Sequence, residues 1–284
     1  MNSRTFLVCS GLLIFWLVLG GCATNPATGQ RMFRAISTEQ EIALGREAAP
    51  EFEKEFEGKV PNETLQAYVR EVGAKVAQAS ERKDVPHEYA LLASDVPNAF
   101  ALPGGKVYVT AGLMRRMTNE RQLAAVLGHE TGHVGALHNV SALQREMGLA
   151  VLVEVAGIVI GGEKGEAAKA GAQVATGMLS LRYSRGDEYE ADQLGIRYMT
   201  RAGYNPWGMV ELLERLQELS GSEPGSFGEM FQTHPLTSKR IEQAKQEILN
   251  KQEYRGFSAS AADAGASRFL QMRSALGPAP SAKP

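Results

Sequence analysis

Five consecutive residues, His129-Glu130-Thr131-Gly132-His133, have the types and spacing of a metal-dependent hydrolase. Residues four apart in an α-helix differ by about 40° of rotation, so the imidazoles of His129 and His133 leave the same face and can bind one metal ion. Glu130 lies about 100° away and flanks that ion, where a general base takes a proton from a water bound to zinc. The pattern predicts a zinc peptidase site, and the alternative is a helix with two ordinary histidines.

Signals for a helix surround this pentapeptide. Asn119 is typical of an N-cap, with Gln122 three residues later as its partner in a capping box. Apolar residues then recur near helical spacing at Leu123, Val126, Leu127, Val134 and Leu137. His138 falls on the opposite side of the helix from His129, and it is one residue short of the third ligand position of a metzincin. We therefore predict a structural role for His138.

A catalytic zinc usually takes three protein ligands, and an acidic segment later in the chain offers the third. Ser184 and Asp187 resemble a capping pair, so a helix begins there. Glu188 and Asp192 then share one face. We predict that Glu188 binds the metal and that Asp192 hydrogen-bonds the free ring nitrogen of a ligand histidine. Glu190 is expected to point away, and the alternative for the whole segment is a solvated acidic face.

The order H-E-T-G-H then E-Y-E-A-D resembles the gluzincin metallopeptidases of the HtpX and CAAX prenyl protease type. Residues 98–110, N-A-F-A-L-P-G-G-K-V-Y-V-T, are similar to the N-A-F and G-G-x-x-x-V segment of that family. Thr233-His234-Pro235 with Arg240 resembles its late H-P…R-I segment. The likeness covers roughly residues 38–253 and is greatest to the small soluble lipoprotein members, of the LoiP and BepA type. No helical repeat pattern is seen in the residues after this region, so the chain is expected to depart from BepA there.

The resemblance implies an α+β, mainly helical, zincin-like domain with a small sheet beside the H-E-x-x-H helix, and one Zn2+ per chain. Two residue assignments stay open. Asn98 holds substrate backbone, as the matching family residue is thought to do, or is a turn residue after Pro97. His234 donates a hydrogen bond to the oxyanion, binds the zinc as a fourth ligand and keeps the enzyme latent, or is a surface histidine.

The N-terminus predicts where the protein works. Residues 6–19 are apolar, long enough for the core of a signal peptide and short for a spanning helix. The sequence L-G-G-C ending at Cys22 resembles a bacterial lipobox, so we predict a signal peptide at residues 1–21 and lipidation of Cys22. The alternatives are an ordinary signal peptide and an uncleaved anchor. Ala23 favours the outer membrane, facing the periplasm, by analogy. Cys9 leaves with the signal, so no disulfide is expected.

Composition excludes one class of partner and indicates the domain plan. The chain has 284 residues, a formal net charge of -2 and no run of Lys and Arg, so nucleic acid is not an expected partner. We predict a tether at residues 22–37 and the zinc metallopeptidase domain at residues 38–256. Residues 257–284, rich in Ala, Ser and Pro, are predicted to form a disordered tail with a short helix near residues 269–276.

Other segments indicate how the site is supported. Helices are expected to begin at Ser37 and after Asn62, and strands are expected at residues 89–94 and 106–110. The second strand is expected near the metal cleft as an edge, to which a peptide adds as an extended strand. Residues 147–177 indicate a helical hairpin or mobile cover beside the active site, with a segment that dips into a membrane surface as the alternative.

Together these features predict a zinc-dependent endopeptidase that acts on misfolded or unassembled proteins of the bacterial cell envelope. Glu130 is the base, and the metal ligands are His129, His133 and Glu188. The expected partners are protein or peptide substrates, a membrane bound through the lipid anchor, and envelope assembly machinery. The alternative is a chaperone-like envelope assembly lipoprotein whose peptidase site is mostly latent.

Overall fold

The computed structural model describes residues 22–222, 225 and 227–278, and all statements below refer to them. The predicted signal peptide, residues 1–21, lies outside the described residues. The α-helices are α1 (Thr38–Glu55), α2 (Glu63–Ala77), α3 (Ala111–Arg116), α4 (Glu120–Gly135), α5 (His138–Met147), α6 (Leu149–Gly161), α7 (Lys164–Leu179), α8 (Arg185–Arg201), α9 (Trp207–Ser222), α10 (Gly228–Thr233), α11 (Ser238–Asn250) and α12 (Ala266–Ala275). The strands are β1 (Cys22–Thr24), β2 (Arg31–Phe33), β3 (Glu88–Leu92), β4 (Ala99–Ala101) and β5 (Lys106–Thr110).

The first two helices begin where their capping residues predict. The Ser37 hydroxyl accepts the Gln40 N–H at 3.2 Å, and the Gln40 side chain accepts the Ser37 N–H at 2.9 Å. The Asn62 side chain accepts the N–H of Leu65 at 3.2 Å and caps α2. These bonds satisfy N–H groups that have no partner within the helix. The predicted fold class, mainly helical with a small sheet, is confirmed.

A three-stranded sheet has the order β3-β5-β4, with β5 parallel to β3 and antiparallel to β4. Both predicted strands are present, but the expectation that residues 106–110 form an edge is wrong, because β5 is the central strand. The edge strand toward the site is β4, whose three residues are buried and in which Phe100 is paired with Tyr108. Its sequence, Ala-Phe-Ala, is short and rich in alanine, so strand propensity alone does not indicate it.

Helices α4 and α8 pack against each other at the centre, and every residue of α4 is buried. Glycines allow their backbones to approach closely. A Cβ on Gly132 would lie 2.9 Å from the carbonyl oxygen of Ala191, and a Cβ on Gly195 would lie 2.9 Å from the backbone nitrogen of His129. The small residues therefore fix the distance between the H-E-x-x-H helix and the helix that bears Glu188.

A buried ion pair joins α1 to the loop before β3. Arg82 and Glu41 are 1% and 0% exposed, and Arg82 Nη2 lies 2.8 Å from Glu41 Oε2. The same carboxylate accepts the N–H of Gly104 at 3.0 Å in the turn between β4 and β5. Separation of α1 from the sheet would leave a buried charge without its partner, which is strongly unfavourable. The network therefore holds α1 against the sheet.

Helices α6 and α7 form the predicted helical hairpin, and α7 packs along α1. The outer face of α6 exposes apolar side chains, among them Val153 and Ile160. None of the helices in the described part of the chain is both long and apolar enough to span a bilayer.

Residues 22–37 are more ordered than the predicted tether. Strands β1 and β2 pair as an antiparallel hairpin, and the Asn25 side chain accepts the N–H groups of Ala27 and Thr28 in the turn between them. The Asn25 amide also donates to the carbonyl of Ala136 at 3.1 Å, and Ile36 is buried. These contacts with the domain explain the order, because they satisfy polar groups and bury apolar surface.

The described part of the predicted disordered tail, residues 257–278, packs on the domain, so that prediction is wrong for these residues. The expected short helix is present as α12, and its Phe269 is fully buried in the core. The Asp263 carboxylate accepts the N–H of Glu120 at 2.8 Å at the start of α4. The composition of this segment alone indicates disorder. Burial of Phe269 and the hydrogen bond of Asp263 at the start of α4 hold it on the domain. Residues 279–284 lie outside the described part.

Candidate metal centre

The H-E-x-x-H helix begins at the predicted residue. The Asn119 side chain accepts the N–H of Gln122 at 3.0 Å. The expected return bond is shifted by one residue, because the Gln122 side chain accepts the N–H of Thr118 at 2.8 Å. One turn separates His129 from His133, and their Nε2 atoms lie 3.1 Å apart. Both imidazoles therefore point to one place.

Helix α8 begins with the predicted capping box. The Ser184 hydroxyl accepts the N–H of Asp187 at 3.1 Å, and the Asp187 carboxylate accepts the N–H of Ser184 at 2.9 Å. Glu188 follows in the first turn and faces α4. Its Oε1 lies 3.3 Å from Nε2 of His133, and its Oε2 lies 3.6 Å from Nε2 of His129. The structure thus brings together the three residues that the sequence nominates as metal ligands.

His234 joins this cluster. Its Nδ1 lies 3.0 Å from Oε1 of Glu188 and 3.4 Å from Nε2 of His129. Its backbone N–H donates to the carbonyl of Met230 at 2.7 Å. We call residues 227–236, which comprise α10 and the His-Pro turn after it, the cover segment. With His129 and Glu130 it lines a cavity of about 30 Å³, and the residues of the centre are at most 6% exposed.

Glu130 lies at the cluster and is 2% exposed. Its Oε1 is 3.8 Å from Nε2 of His234, and its Oε2 has no hydrogen-bond partner among the described residues. Burial raises the pKa of Glu130 above its ordinary value, although the charges of His234 and His129 oppose the shift. A buried, unpaired carboxylate oxygen with a raised pKa can accept a proton near neutral pH.

Asp192 lies one turn after Glu188, and its Oδ1 is 2.9 Å from Nδ1 of His129. Arg240, on α11, donates to both Asp192 oxygens at 2.8 and 2.7 Å and also to Glu188. The sequence indicates the Asp192 contact but assigns no function to Arg240. Two carboxylates on one buried face require a cation nearby, and that requirement is the signal by which such a residue could have been found.

His133, the second predicted ligand histidine, has its own partner. His138 Nδ1 lies 3.1 Å from Nδ1 of His133, and His138 Nε2 lies 2.9 Å from Oε2 of Glu190. Glu190 points away from the cluster, as its position on the helix predicts, but it reaches His138. A proton on Nδ1 of His133 and one on Nε2 of His138 satisfy both contacts and leave Nε2 of His133 free to bind a metal.

Tyr183, which the sequence does not single out, covers the His133 ring. The two ring centroids are 3.9 Å apart with an interplanar angle of 26°. Tyr183 donates its backbone N–H to the carbonyl of Thr233 at 3.2 Å, so the chain just before α8 also contacts the cover segment. Burial raises the pKa of Tyr183 well above its ordinary value. Its phenol therefore stays protonated at neutral pH.

Asn98 lies immediately before β4. Its side-chain oxygen accepts the N–H of Ala99 at 2.9 Å, and its own N–H donates to the Thr110 hydroxyl at 2.9 Å. The residue also lines a cavity that it shares with His234. Asn98 thus makes the local hydrogen bonds of a turn residue and also lies at the cleft, so the structure agrees with both interpretations of it. Cys22 begins β1, and its lipidation stays a prediction.

The charges of His133 and Glu188 match metal ligands. Burial lowers the pKa of His133 well below its ordinary value and keeps the imidazole neutral. Burial acts to raise the pKa of Glu188, but the charges of His234 and Arg240 outweigh it and hold that pKa well below the usual range. The result is a neutral imidazole beside an ionised carboxylate, which are the protonation states that bind metals. Burial acts to lower the pKa of His234, but the charges of Glu188 and Glu130 outweigh it and raise that pKa, so a metal at His234 must displace a proton.

The donor set fits a metal ion. One ligand atom each from His129, His133, Glu188 and His234 can be chosen so that all four lie within 4.8 Å of one another, and all four residues are buried. Imidazole nitrogens with one carboxylate oxygen suit Zn2+, which is mostly four-coordinate. The unpaired Glu130 oxygen next to them supports this interpretation, since it leaves a polar atom for a water at the centre.

An H-E-x-x-H helix, a glutamate from a second helix and a small sheet beside them define a gluzincin-type metallopeptidase domain. The sequence model of Peptidase family M48 matches residues 63–248. The chain belongs to this family, and the resemblance seen in its motifs is confirmed.

Several characterised proteins are similar to the chain. The beta-barrel assembly-enhancing protease of Escherichia coli (strain K12) is 29% identical over 233 residues, which are 78% of this chain and 46% of that protein. Metalloprotease YcaL of the same organism is 30% identical over 183 residues, 62% of this chain and 69% of that protein. The mitochondrial metalloendopeptidase OMA1 of Schizosaccharomyces pombe is 31% identical over 220 residues, which are 76% of this chain and 63% of that protein. The chain matches about half the length of the beta-barrel assembly-enhancing proteases.

Proposed function

We propose that this protein is a zinc-dependent endopeptidase that hydrolyses peptide bonds in misfolded or unassembled proteins of the bacterial cell envelope. The observation that supports this most is the buried cluster of His129, His133 and Glu188 with the unpaired Glu130 beside it. The membership of family M48 agrees with the chemistry of that cluster.

His129, His133 and Glu188 would hold the metal. Zinc, when bound, supplies a Lewis acid that lowers the pKa of water to about 7 and polarises a carbonyl. Glu130 takes the proton as water attacks the peptide carbonyl and returns it to the leaving amine. Asp192 and His138 hold the two imidazoles in the tautomers that leave Nε2 free. Arg240 neutralises the carboxylates of Glu188 and Asp192.

Strand β4 and Asn98 position the substrate in this proposal. In the antiparallel pair of β4 with β5, Asn98 O accepts from Thr110 N and Leu102 N donates to Lys106 O. The backbone groups of Ala99 and Ala101 therefore point away from β5, toward the cleft. The Ala99 N–H already donates to the Asn98 side chain, so an extended peptide that pairs here as an added strand would replace that bond. Such pairing recognises the substrate's backbone and not its side chains, which suits an enzyme with many substrates.

We further propose that the conformation described here is latent. His234 occupies the ligand cluster, and the residues of the centre are buried. Of the three interpretations of His234, the fourth ligand agrees with these distances. His234→Ala should therefore raise the rate of casein cleavage. A lower rate would support the oxyanion donor, and an unchanged rate would contradict both functional interpretations.

The setting follows from the sequence and from the names of the relatives. The lipobox-like sequence at Cys22 supports a lipoprotein on the outer membrane, facing the periplasm. The beta-barrel assembly-enhancing proteases support an association with envelope assembly machinery. Cys22→Ser should abolish incorporation of labelled palmitate. An unmodified Cys22 in the intact mass of the native protein would contradict this part of the proposal.

The chaperone-like alternative rests on the buried centre. It predicts that Glu130→Gln protein prevents the aggregation of an unfolded envelope protein as well as wild type does and that neither cleaves it. The peptidase proposal predicts metal-dependent cleavage that the variant lacks.

The test of the peptidase proposal is metal analysis together with casein cleavage, on wild type and on Glu130→Gln. We expect one zinc per chain in both proteins and turnover only in wild type, because the amide cannot accept the proton. Full activity in a metal-loaded Glu130→Gln protein would exclude Glu130 as the base.

A further inference from the structure

A second cavity lies next to the metal centre, between the C-terminal end of α1, strand β4 and the end of α7. Its volume is about 290 Å³. A water molecule in the liquid occupies about 30 Å³ and drug-sized ligand pockets begin near 300 Å³, so this cavity has the size for one large side chain.

Its wall has an apolar part and, next to the metal centre, a polar part formed by Asn98, Gln232, Thr233 and His234. Phe100 forms the centre of an aromatic group, with its ring centroid 4.2 Å from that of Phe52 and 4.8 Å from that of Phe56. Met178 and Leu181, both buried, form the opposite wall. Aromatic rings and a methionine favour contact with another large apolar or aromatic side chain.

The cavity opens beside the reacting groups. His234 lines it and also lies 3.0 Å from Glu188. Along β4 the side chains alternate, so that Ala99 lines the small cavity with His129, whereas Phe100 lines the larger one. A peptide added beside β4 alternates in the same way and directs side chains near the reacting carbonyl into the larger cavity.

The charges around the cavity exclude acidic side chains. Glu55 is exposed at its rim, and none of the described residues that line it is a lysine or an arginine. The cationic group that a carboxylate would meet there is His234, which Glu188 and Glu130 already contact, so a carboxylate would leave water with little compensation.

We propose that this cavity is the specificity subsite for a large apolar or aromatic side chain next to the scissile bond. The inference rests on the proposed function, because it concerns the substrate of the same centre. The substrates are then segments with an exposed Phe, Tyr, Leu or Met, which unfolded chains present and folded domains bury.

The first test uses a peptide library digested by the full chain, with mass spectrometry of the products. We expect Phe, Tyr, Leu and Met to be enriched at one position beside the cut. Leu179→Trp should fill the mouth of the cavity and lower the ratio of kcat/KM for a Phe peptide over its Ala analogue by about tenfold or more. Leu179 is 43% exposed, so the domain can accept the larger ring.

The matched control is Val153→Trp on the other helix of the hairpin. Val153 is 45% exposed and does not line the cavity, so this variant should keep the wild-type ratio. An equal loss in both variants, or no loss in Leu179→Trp, would overturn the proposal.

Charge at the rim gives a second test. Glu55→Lys should raise the relative kcat/KM of peptides with Glu at the same position by about twofold to fivefold, the effect of an exposed ion pair. Glu51→Lys, on the same helix but outside the cavity, should not. A gain from both variants would indicate general charge attraction and contradict a local subsite.

A binding measurement separates this inference from the proposed function. Fluorescence polarisation of labelled Phe and Ala peptides is measured on Glu130→Gln protein and on Glu130→Gln with Leu179→Trp. The subsite predicts tighter binding of the Phe peptide only in the first protein, whether or not wild type cleaves. Absence of cleavage with selective binding would contradict the peptidase proposal alone. Cleavage without a side-chain preference would contradict the subsite alone.

Discussion

The helix pair α4–α8 and the cover segment contribute to the same centre but are held in different ways. The pair is joined through glycine contacts at backbone distance, and its ligands have buried partners such as Asp192 and His138. The cover segment places one histidine in the centre, and the carbonyl of its Pro235 accepts from Arg240. It is held by the buried side chains of Phe227 and Met230 and by the Tyr183–Thr233 bond, without glycine contacts like those that join α4 to α8. We therefore expect the three predicted ligands on α4 and α8 to be fixed and His234 to be the one that can move.

The largest expected effect is on the fixed part. Glu188→Gln should abolish tight zinc binding and, in the apoprotein, should lower the free energy of unfolding by about 3–5 kcal/mol, because Arg240 loses a buried charged partner. Calorimetric zinc titration and urea denaturation measure the two effects. If Glu190→Gln impairs zinc binding more than Glu188→Gln does, the assignment of the ligand is wrong.

The helix contact itself can be altered without touching a ligand. Gly132→Ala places a Cβ 2.9 Å from the carbonyl of Ala191, and this crowding should lower the free energy of unfolding by about 1–3 kcal/mol and weaken zinc binding. The control is Gly157→Ala on α6, where a Cβ meets nothing within 4 Å. It should stabilise the protein by up to about 1 kcal/mol. Equal midpoints of urea unfolding for both variants would contradict a close α4–α8 contact.

The partner of His133 can be tested in the same way. His138→Ala should weaken zinc binding about 10–100-fold, because the ring of His133 loses the group that fixes its tautomer. Glu190→Gln should have a smaller effect in the same direction, since an amide oxygen can still accept from His138. Zinc affinities equal to wild type in both variants would show that Asp192 alone orients the ligands.

The smallest expected effect lies at the far end of α4. Asp263→Ala removes the carboxylate that accepts the N–H of Glu120, and should lower the free energy of unfolding by about 1 kcal/mol with little change in zinc affinity. Glu253→Ala, an exposed acidic residue just before the tail, serves as the control. An unfolding midpoint for Asp263→Ala that matches the control would mean that the tail does not stabilise the helix.

The features that the sequence predicts well depend on local spacing. His129 and His133 share a face because they are one turn apart, and Ser184 with Asp187 begins the helix that presents Glu188. Such patterns are fixed by helix geometry within a few residues. The family resemblance extends them to the fold class.

The features that the sequence does not predict depend on contacts between distant segments. Arg240 meets Asp192 across 48 positions, and Asp263 reaches Glu120 across 143. Strand β4 lacks the residues typical of a strand and exists because β5 pairs with it. The tail has the composition of a disordered segment, but its described residues are ordered because Phe269 is buried in the core.

The most direct test of the central claim is anomalous diffraction at the zinc edge from crystals of the full chain grown with zinc. We predict one metal ion per chain, bonded at about 2.0–2.2 Å to Nε2 of His129, Nε2 of His133 and a carboxylate oxygen of Glu188, with Glu130 beside it and not bonded. An ion held by Glu130 or Glu190 in place of Glu188, or no ion between α4 and α8, would contradict the account.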